Sequence, residues 1–330
     1  MRVMVMAAGK GTRLRPVTDL LPKPMAPIAN RPVLHHILRL LGRHGFTEVV
    51  ANLHHMPEVI TGHFGDGATL GVHLHYSFEP ELLGTAGGVK NNEEFLGDGT
   101  FLVMSGDALT DIDLTGLVAA HRRYGSIATM AVKEVPDPSL YGVVVTDDDD
   151  RVVAFQEKPT REEARSHLCN CGIYVFEPEV FSLIPAGEFD DFGSRLFPDL
   201  LRQRIPFHAH TFGGYWSDVG NLHEYFRGNA DALTGRVAVD LPGEEVRPGV
   251  WVDEGAQVSS SVRIEPPVVI GRGCRLEDDV IVEGPSVLGD RVSVGAGAHV
   301  ARGVVLSDSH VNAGSVIIEG VVGQKPRPTT

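Results

Sequence analysis

The stretch from Ala7 to Met25 carries the densest set of residues able to do chemistry. It reads Ala-Ala-Gly-Lys-Gly-Thr-Arg-Leu-Arg-Pro-Val-Thr and closes on Leu21-Pro22-Lys23-Pro24-Met25. The apolar run Val3-Met4-Val5-Met6 before it predicts a buried first strand that opens directly into a glycine loop. Gly9 and Gly11 let the backbone turn sharply and approach a phosphate with no Cβ in the way. Arg13 and Lys23 then bring positive charge to that phosphate. The pattern lacks the third glycine of a dinucleotide fingerprint, and Gly-Lys-Gly-Thr does not give the spacing of a Walker loop. An ordinary strand-turn with two glycines is the plain alternative for Gly-x-Gly alone.

Two carboxylates further on are candidates for holding a divalent cation. Asp107 ends the apolar run Phe101-Leu102-Val103-Met104-Ser105-Gly106, and Asp218 follows Gly214-Tyr215-Trp216-Ser217. Either alone reads equally well as a turn or cap residue. Glu157 and Lys158, before Pro159, read by themselves as an exposed strand end.

Taken together these segments closely resemble the signatures of the sugar-nucleotide pyrophosphorylases, which join a nucleoside triphosphate to a sugar 1-phosphate. The resemblance covers nearly all of the N-terminal region, with its motifs in family order. It implies nucleotide binding by Ala7, Ala8, Gly9, Gly11, Thr12 and Arg13, and catalytic roles for Arg13, Lys23, Asp107 and Asp218. Ser105-Gly106-Asp107 and Trp216-Ser217-Asp218-Val219-Gly220 match the two metal motifs, which implies Mg2+ held by Asp107 and Asp218. Glu157-Lys158-Pro159 matches the segment whose lysine holds the sugar phosphate and whose glutamate holds a sugar hydroxyl. Tyr141, Gly142 and Asn170 fit the rest of the sugar side, with Cys171 a departure inside Asn170-Cys171-Gly172-Ile173-Tyr174. Leu83-Gly84-Thr85-Ala86 matches the nucleotide loop, so Gly84 and Thr85 join the nucleotide set. The resemblance implies that Glu79, five residues before Gly84, reads the base edge. Guanine offers two adjacent donors that one carboxylate accepts together, so Glu79 favours GTP. The leading expectation is guanylyl transfer onto mannose 1-phosphate. Thymidylyl or uridylyl transfer onto glucose 1-phosphate is the nearer alternative.

Behind these motifs, apolar strands alternate with helical segments as far as about residue 235. Val49–Leu53, Val72–Tyr76, Phe101–Met104 and Ala128–Val132 read as strands. Leu34–Arg43, Glu58–Phe64, Gly87–Phe95 and Leu117–Tyr124 read as helices. The alternation predicts an α/β, Rossmann-like, mostly parallel sheet with ligands at the strands' carboxyl ends. Asp147 to Asp150 reads as a solvated hairpin turn.

From Val252 the period changes. Val252, Val258, Ile264, Ile270, Leu276, Val282, Leu288, Val294, Val300 and Leu306 are six apart, Asn312 interrupts the series, and Ile318 resumes it. This predicts a parallel β-helix of hexapeptide repeats, about four coils of three hexads, left-handed by resemblance to known hexapeptide proteins. The expected domains are 1–235 for nucleotidyl transfer, a linker at 236–250, and the β-helix at 251–330 with a frayed tail over Lys325–Thr330.

Composition sets the outer bounds. With 330 residues, two domains are the prior. A net charge of -14 disfavours nucleic acid and acidic membrane as partners. The resemblance implies a nucleoside triphosphate and a sugar 1-phosphate as partners, and the open faces of the β-helix add further copies of the chain in a homo-oligomer as an expectation. No apolar run of membrane-spanning length and no leader pattern are visible. Cys169, Cys171 and Cys274 suit reduced thiols in a cytoplasm. Fifteen histidines show no metal-ligand spacing. An acyltransferase built on the β-helix would need His299 or His310 as base, and His310 sits at a small-residue repeat position. A silent regulatory subunit would be expected to lose Arg13, Lys23, Asp107 or Asp218, and all are present.

Overall fold

The computed structural model describes residues 1–323, so the tail Lys325–Thr330 lies outside the described residues. The chain packs as two units. The first comprises Met1–Gly9, Ile37–Ala108 and Ile112–Trp216; the second comprises Lys10–His36, Leu109–Asp111 and Ser217 onward.

The first unit is built on a nine-stranded sheet. Its strands are β1 (Arg2–Met6), β2 (Glu48–Leu53), β3 (His73–Phe78), β4 (Phe101–Ser105), β5 (Ala128–Glu134), β6 (Gly142–Thr146), β7 (Val152–Glu157), β8 (Leu168–Phe176) and β9 (His208–Thr211). Their order is β7-β6-β8-β4-β1-β2-β3, with β5 also beside β8 and β9 beyond β5. The half made of β4, β1, β2 and β3 is parallel throughout, as βαβ crossovers require. Continuous apolar runs mark these strands because helices cover both faces: Val3, Met4, Val5 and Phe101 through Met104 have no exposed surface. Beyond β4 the sheet is mixed: β8 runs antiparallel to β4, β5 and β6, and β9 lies parallel to β5. The α-helices of six or more residues in this alternating region are α1 (Val33–Arg43), α2 (Pro57–Phe64), α3 (Gly84–Lys90), α4 (Leu114–Tyr124) and α5 (Phe197–Arg202). Helix α4 starts where the Asp113 side chain accepts from the Gly116 N–H and stops at Gly125 in the left-handed region. The aspartate run is the expected hairpin turn between β6 and β7, closed by the Asp147 N–H to the Arg151 carbonyl at 3.0 Å.

The second unit holds helix α6 (Leu222–Leu233) and the β-helix. Three parallel ladders of short strands stack so that Val250 lies beside Val268, Gln257 beside Arg275 and Arg263 beside Ile281, each pair one coil apart. The segment 236–250, expected to be a bare linker, contains the strand Glu244–Arg247, antiparallel to Val250–Val252.

The hexad register changes where the sequence expectation ran straight on. Val282 pairs with Val300, but Leu288 pairs with Val305 and Val294 with Val311. The corner Ala301-Arg302-Gly303 has one residue fewer than Glu283-Gly284-Pro285-Ser286, so every later inward position moves back by one. Val305 and Val311 fill the interior, and Ile317 packs on it. Asn312 is exposed because it is not an inward position, and Ile318 is 55% exposed. The interruption at Asn312 is therefore a frame shift, and Ser309 takes the buried small-residue place expected for His310.

Candidate active site

In the first unit the end of β1 delivers Ala7 and Ala8, both buried, and the exposed Gly9. The Ala7 N–H donates to Asn52 Oδ1 at 2.8 Å, and Asn52 Nδ2 donates to Glu79 Oε1 at 2.7 Å. The Leu83 N–H donates to Glu79 Oε2 at 3.2 Å. Glu79 is only 1% exposed, so this carboxylate ties the first glycine loop to the Leu83–Ala86 loop from inside. Gly88 makes room for it, since a Cβ there would lie 2.8 Å from Glu79 Oε1. Asn52 was not among the residues expected at the site; its signal was an amide next to the end of an otherwise apolar run, Val49–Leu53.

Gly84 has φ +76, and a Cβ on it would lie 2.3 Å from the Asp190 carbonyl oxygen, so glycine is required there twice over. Thr85 Oγ1 donates to Asp191 Oδ2 at 2.9 Å and accepts from the Phe192 N–H at 2.8 Å. Asp107 follows β4 through Gly106, whose N–H donates to the Met6 carbonyl at 2.9 Å. A Cβ on Gly106 would lie 2.7 Å from that oxygen. Ser105 Oγ donates a short hydrogen bond to Asp107 Oδ1, which fixes the carboxylate at the strand end.

The sugar-side residues also gather in this unit. Glu157 and Lys158 form an ion pair at 3.0 Å on an exposed turn, with Lys158 in the left-handed region at φ 44. The Lys158 N–H donates to the Tyr141 carbonyl at 3.1 Å, and the Tyr141 ring meets Trp216 edge-on at 5.3 Å. Gly142 and Gly193 both lie against Glu157: a Cβ on either would be 3.3 or 2.7 Å from Glu157 Oε2. Asn170 sits on a bulge in β8, where the register with β5 shifts between Asn170 and Tyr174. Its Oδ1 accepts from the Gly172 N–H at 2.9 Å and its Nδ2 donates to the Tyr174 hydroxyl at 2.8 Å. Burial pushes the Tyr174 hydroxyl up, and the negative charges of Asp191 and Glu157 add to that. Cys169 and Cys171 are buried packing thiols.

In the second unit Gly11, Thr12 and Arg13 enter a single helical turn, Thr12–Leu14, that buries Leu14 and leaves Arg13 exposed. Gly11 has φ +62, and a Cβ on it would lie 2.7 Å from Lys23 Cβ; the loop therefore closes onto the lysine stem. Lys23 is 8% exposed and its Nζ donates to Asp218 Oδ1 at 3.3 Å. Pairing with a carboxylate offsets part of the cost of burying the ammonium and holds it in place. Thus Lys23 and Asp218, far apart in sequence, are brought together, whereas Asp107 belongs to the first unit.

Asp107 in the first unit and Asp218 in the second are each a hard oxygen donor of the kind a divalent cation takes alongside substrate phosphate oxygens. Among the described residues no group of three or more His, Cys, Asp or Glu side chains forms a ready-made metal cage. No helix among them is long and apolar enough to cross a membrane.

The profile of the nucleotidyl transferase family matches residues 2–235. A UTP–glucose-1-phosphate uridylyltransferase of Synechocystis sp. is 43% identical over 98% of this chain and 87% of its own length. A mannose-1-phosphate guanylyltransferase of Mycobacterium tuberculosis is 36% identical over 80% of this chain and 76% of its own. Among solved structures, a Bacillus anthracis protein assigned as a glucose-1-phosphate thymidylyltransferase shares the fold with a TM-score of 0.64 at 24% identity. It covers 73% of this chain and 97% of its own. Nucleotidyltransferases of this family generally use a divalent metal ion. The glycine loop closed onto Lys23, the Lys23–Asp218 pair and the family profile agree, and the chain belongs to the sugar-nucleotide pyrophosphorylases of the nucleotidyl transferase family.

Proposed function

We propose that this chain transfers a uridylyl group from UTP to glucose 1-phosphate and releases pyrophosphate, with Mg2+ as the divalent cation. The glycine loop, Arg13 and Lys23 bind the triphosphate. Lys158 holds the sugar phosphate and Glu157 a sugar hydroxyl. An oxygen of the sugar phosphate attacks the α-phosphorus in line, the bond to the β-phosphate oxygen breaks, and pyrophosphate leaves. Two anions must approach each other, so positioning and charge neutralisation carry the catalysis. Magnesium held by Asp107 and Asp218 would supply part of that neutralisation.

The observation that carries the nucleotidyl-transfer reading is the buried Lys23–Asp218 pair behind the glycine loop. The base and sugar rest on the Synechocystis relative, whose match runs along 98% of this chain. GTP with mannose 1-phosphate is the second reading, supported by the Mycobacterium relative and by the carboxylate at Glu79. That carboxylate argument needs Glu79 to face a base, whereas its two oxygens accept from Asn52 and Leu83 and it is 1% exposed. The exposed Val316 and Ile318 on the last full coil support self-association through the β-helix, and the three free buried thiols suit a cytoplasm.

Pyrophosphate release across UTP, GTP, dTTP and ATP, each with glucose 1-phosphate and mannose 1-phosphate, tests the proposal. UTP with glucose 1-phosphate should give the highest kcat/KM. A clear preference for GTP with mannose 1-phosphate would replace the first reading by the second, and no release with any pair would remove both.

A further inference from the structure

One short segment, Glu188 to Gly193, touches both the nucleotide loop and the sugar-side glutamate. On the nucleotide side, the Asp190 N–H donates to the Leu83 carbonyl at 2.9 Å. The Asp190 carbonyl accepts from the Ala86 and Gly87 N–H groups at 3.0 and 3.1 Å. The Ala86 and Gly87 amides in the first turn of α3 are therefore spent on this segment and are not offered to a phosphate. The Thr85 hydroxyl completes the seam by donating to Asp191 Oδ2 and accepting from the Phe192 N–H.

Asp191 links that seam to the other side. Its Oδ1 accepts from the Gly193 and Ser194 N–H groups at 3.0 and 3.1 Å, which fixes the turn into the following helical segment. Gly193, held by this bond, lies against Glu157, where a Cβ would come within 2.7 Å of Oε2. A displacement of the Thr85 loop is passed through one carboxylate to the backbone on which Glu157 rests.

We propose that segment 188–193 is a strap that couples the nucleotide site to the sugar-phosphate site, with Asp191 and Thr85 as its positioning residues. The inference rests on the reading of the two loops as substrate sites given above. Binding at either loop would then order the other without any shared ligand contact, because rigid hydrogen-bonded backbone joins them. Neither residue needs to touch a substrate to do this.

Thr85→Val keeps the side-chain shape and removes both hydroxyl bonds, whereas Thr85→Ser keeps the hydroxyl. Three quantities are read: UTP affinity by calorimetry with magnesium, the KM for glucose 1-phosphate, and amide hydrogen exchange without substrate. Thr85→Val should weaken UTP binding and raise the sugar-phosphate KM by about threefold or more each, the scale of one lost hydrogen bond. It should also speed exchange at Gly193 and Ser194, and Thr85→Ser should restore all three readouts. The strap is overturned if Thr85→Val weakens UTP alone, if the serine variant is as impaired as the valine one, or if exchange at Gly193 and Ser194 is unchanged. A wild-type chain that releases no pyrophosphate with any substrate pair would sink the functional reading instead, and the exchange measurement would still judge the seam.

Discussion

Replacing Glu79 by Gln separates two roles for this side chain that predict opposite results. In the structure Glu79 accepts from two donors, Asn52 Nδ2 at 2.7 Å and the Leu83 N–H at 3.2 Å, inside a 1% exposed pocket. Glutamine has the same shape but only one acceptor oxygen, so its amide nitrogen must face one of those donors. One charge-assisted bond is lost and a buried donor is left without an acceptor, which costs roughly 1.5–3 kcal/mol. For a unit of this size that corresponds to a fall of about 4–10 °C in the thermal midpoint. Because the brace supports the loop and not one base, kcat/KM should fall by the same factor, within about twofold, for UTP and GTP. Differential scanning calorimetry and the nucleotide matrix read the two effects on the same preparation. A variant with an unchanged midpoint and a GTP-to-UTP preference moved by about tenfold or more would refute the brace and restore Glu79 as a base reader.

Three further outcomes follow from named contacts. Lys23→Met should lower turnover by about a hundredfold or more at saturating substrate, the scale for removing one preorganised cationic donor from a developing charge; turnover within tenfold of wild type, by pyrophosphate release, would exclude the lysine from catalysis. Burial raises the Asp190 carboxyl, so its contribution to stability is present below the ordinary carboxylate range and is lost as pH rises through its folded value. The stability of wild type minus that of Asp190→Asn, measured by urea melts, should therefore fall as pH rises above the ordinary carboxylate range, and a flat difference would contradict the buried charge. In the β-helix, Val305→Asn should cost roughly 2–4 kcal/mol and Ile318→Asn only about 0.5, the reverse of what an unbroken six-residue count requires; equal losses would restore that count.

The sheet, its helices and the β-helix were legible because each rests on local periodicity. Val3–Met6 and Phe101–Met104 are runs that only a doubly covered sheet can bury, and the six-residue spacing up to Val300 fits no other architecture. The register change after Val300 was invisible because Leu306 and Ile318 are aliphatic as well, so a shifted frame still met apolar residues at the old positions. Among the site residues, Lys23 and Asp218 were legible by type and resemblance, and their pairing is a tertiary fact. Asn52 and Asp191 were missed because an amide and a carboxylate at element ends look like ordinary caps. What makes them special is a partner 27 or 106 residues away, Glu79 for the first and Thr85 for the second. For Glu79, sequence logic can count its acceptors but not see that the Asn52 side-chain amide and the Leu83 N–H each donate to one of its oxygens.

The domain boundary shows how chemistry and packing divide the chain differently. By sequence the signature loop belongs with the sheet that precedes it, since Val3–Met6 runs straight into Gly9 and Gly11. By contacts the segment from Lys10 to His36 belongs with α6 and the β-helix. Asn30 Nδ2 donates to Asp290 Oδ1 at 2.7 Å, and the Ala29 N–H donates to Asn229 Oδ1 on α6 at 2.9 Å. Ala29 and Asn30 are both in the left-handed region, which is unfavourable for the alanine though common for asparagine, so the turn gains from external support. Asp290 lies on a corner of the β-helix and also accepts from the Arg272 N–H at 3.1 Å, so the support reaches into the coils themselves. Lys23 sits seven residues before Asn30 on this segment, and its partner Asp218 belongs to the same unit. A β-helix added only for assembly would not need to clasp the backbone that carries Lys23. The repeats therefore belong to the scaffold of the Lys23–Asp218 pair: Lys23 meets a partner 195 positions further along the chain, on a segment whose Asn30 is held by Asp290, 260 positions beyond it.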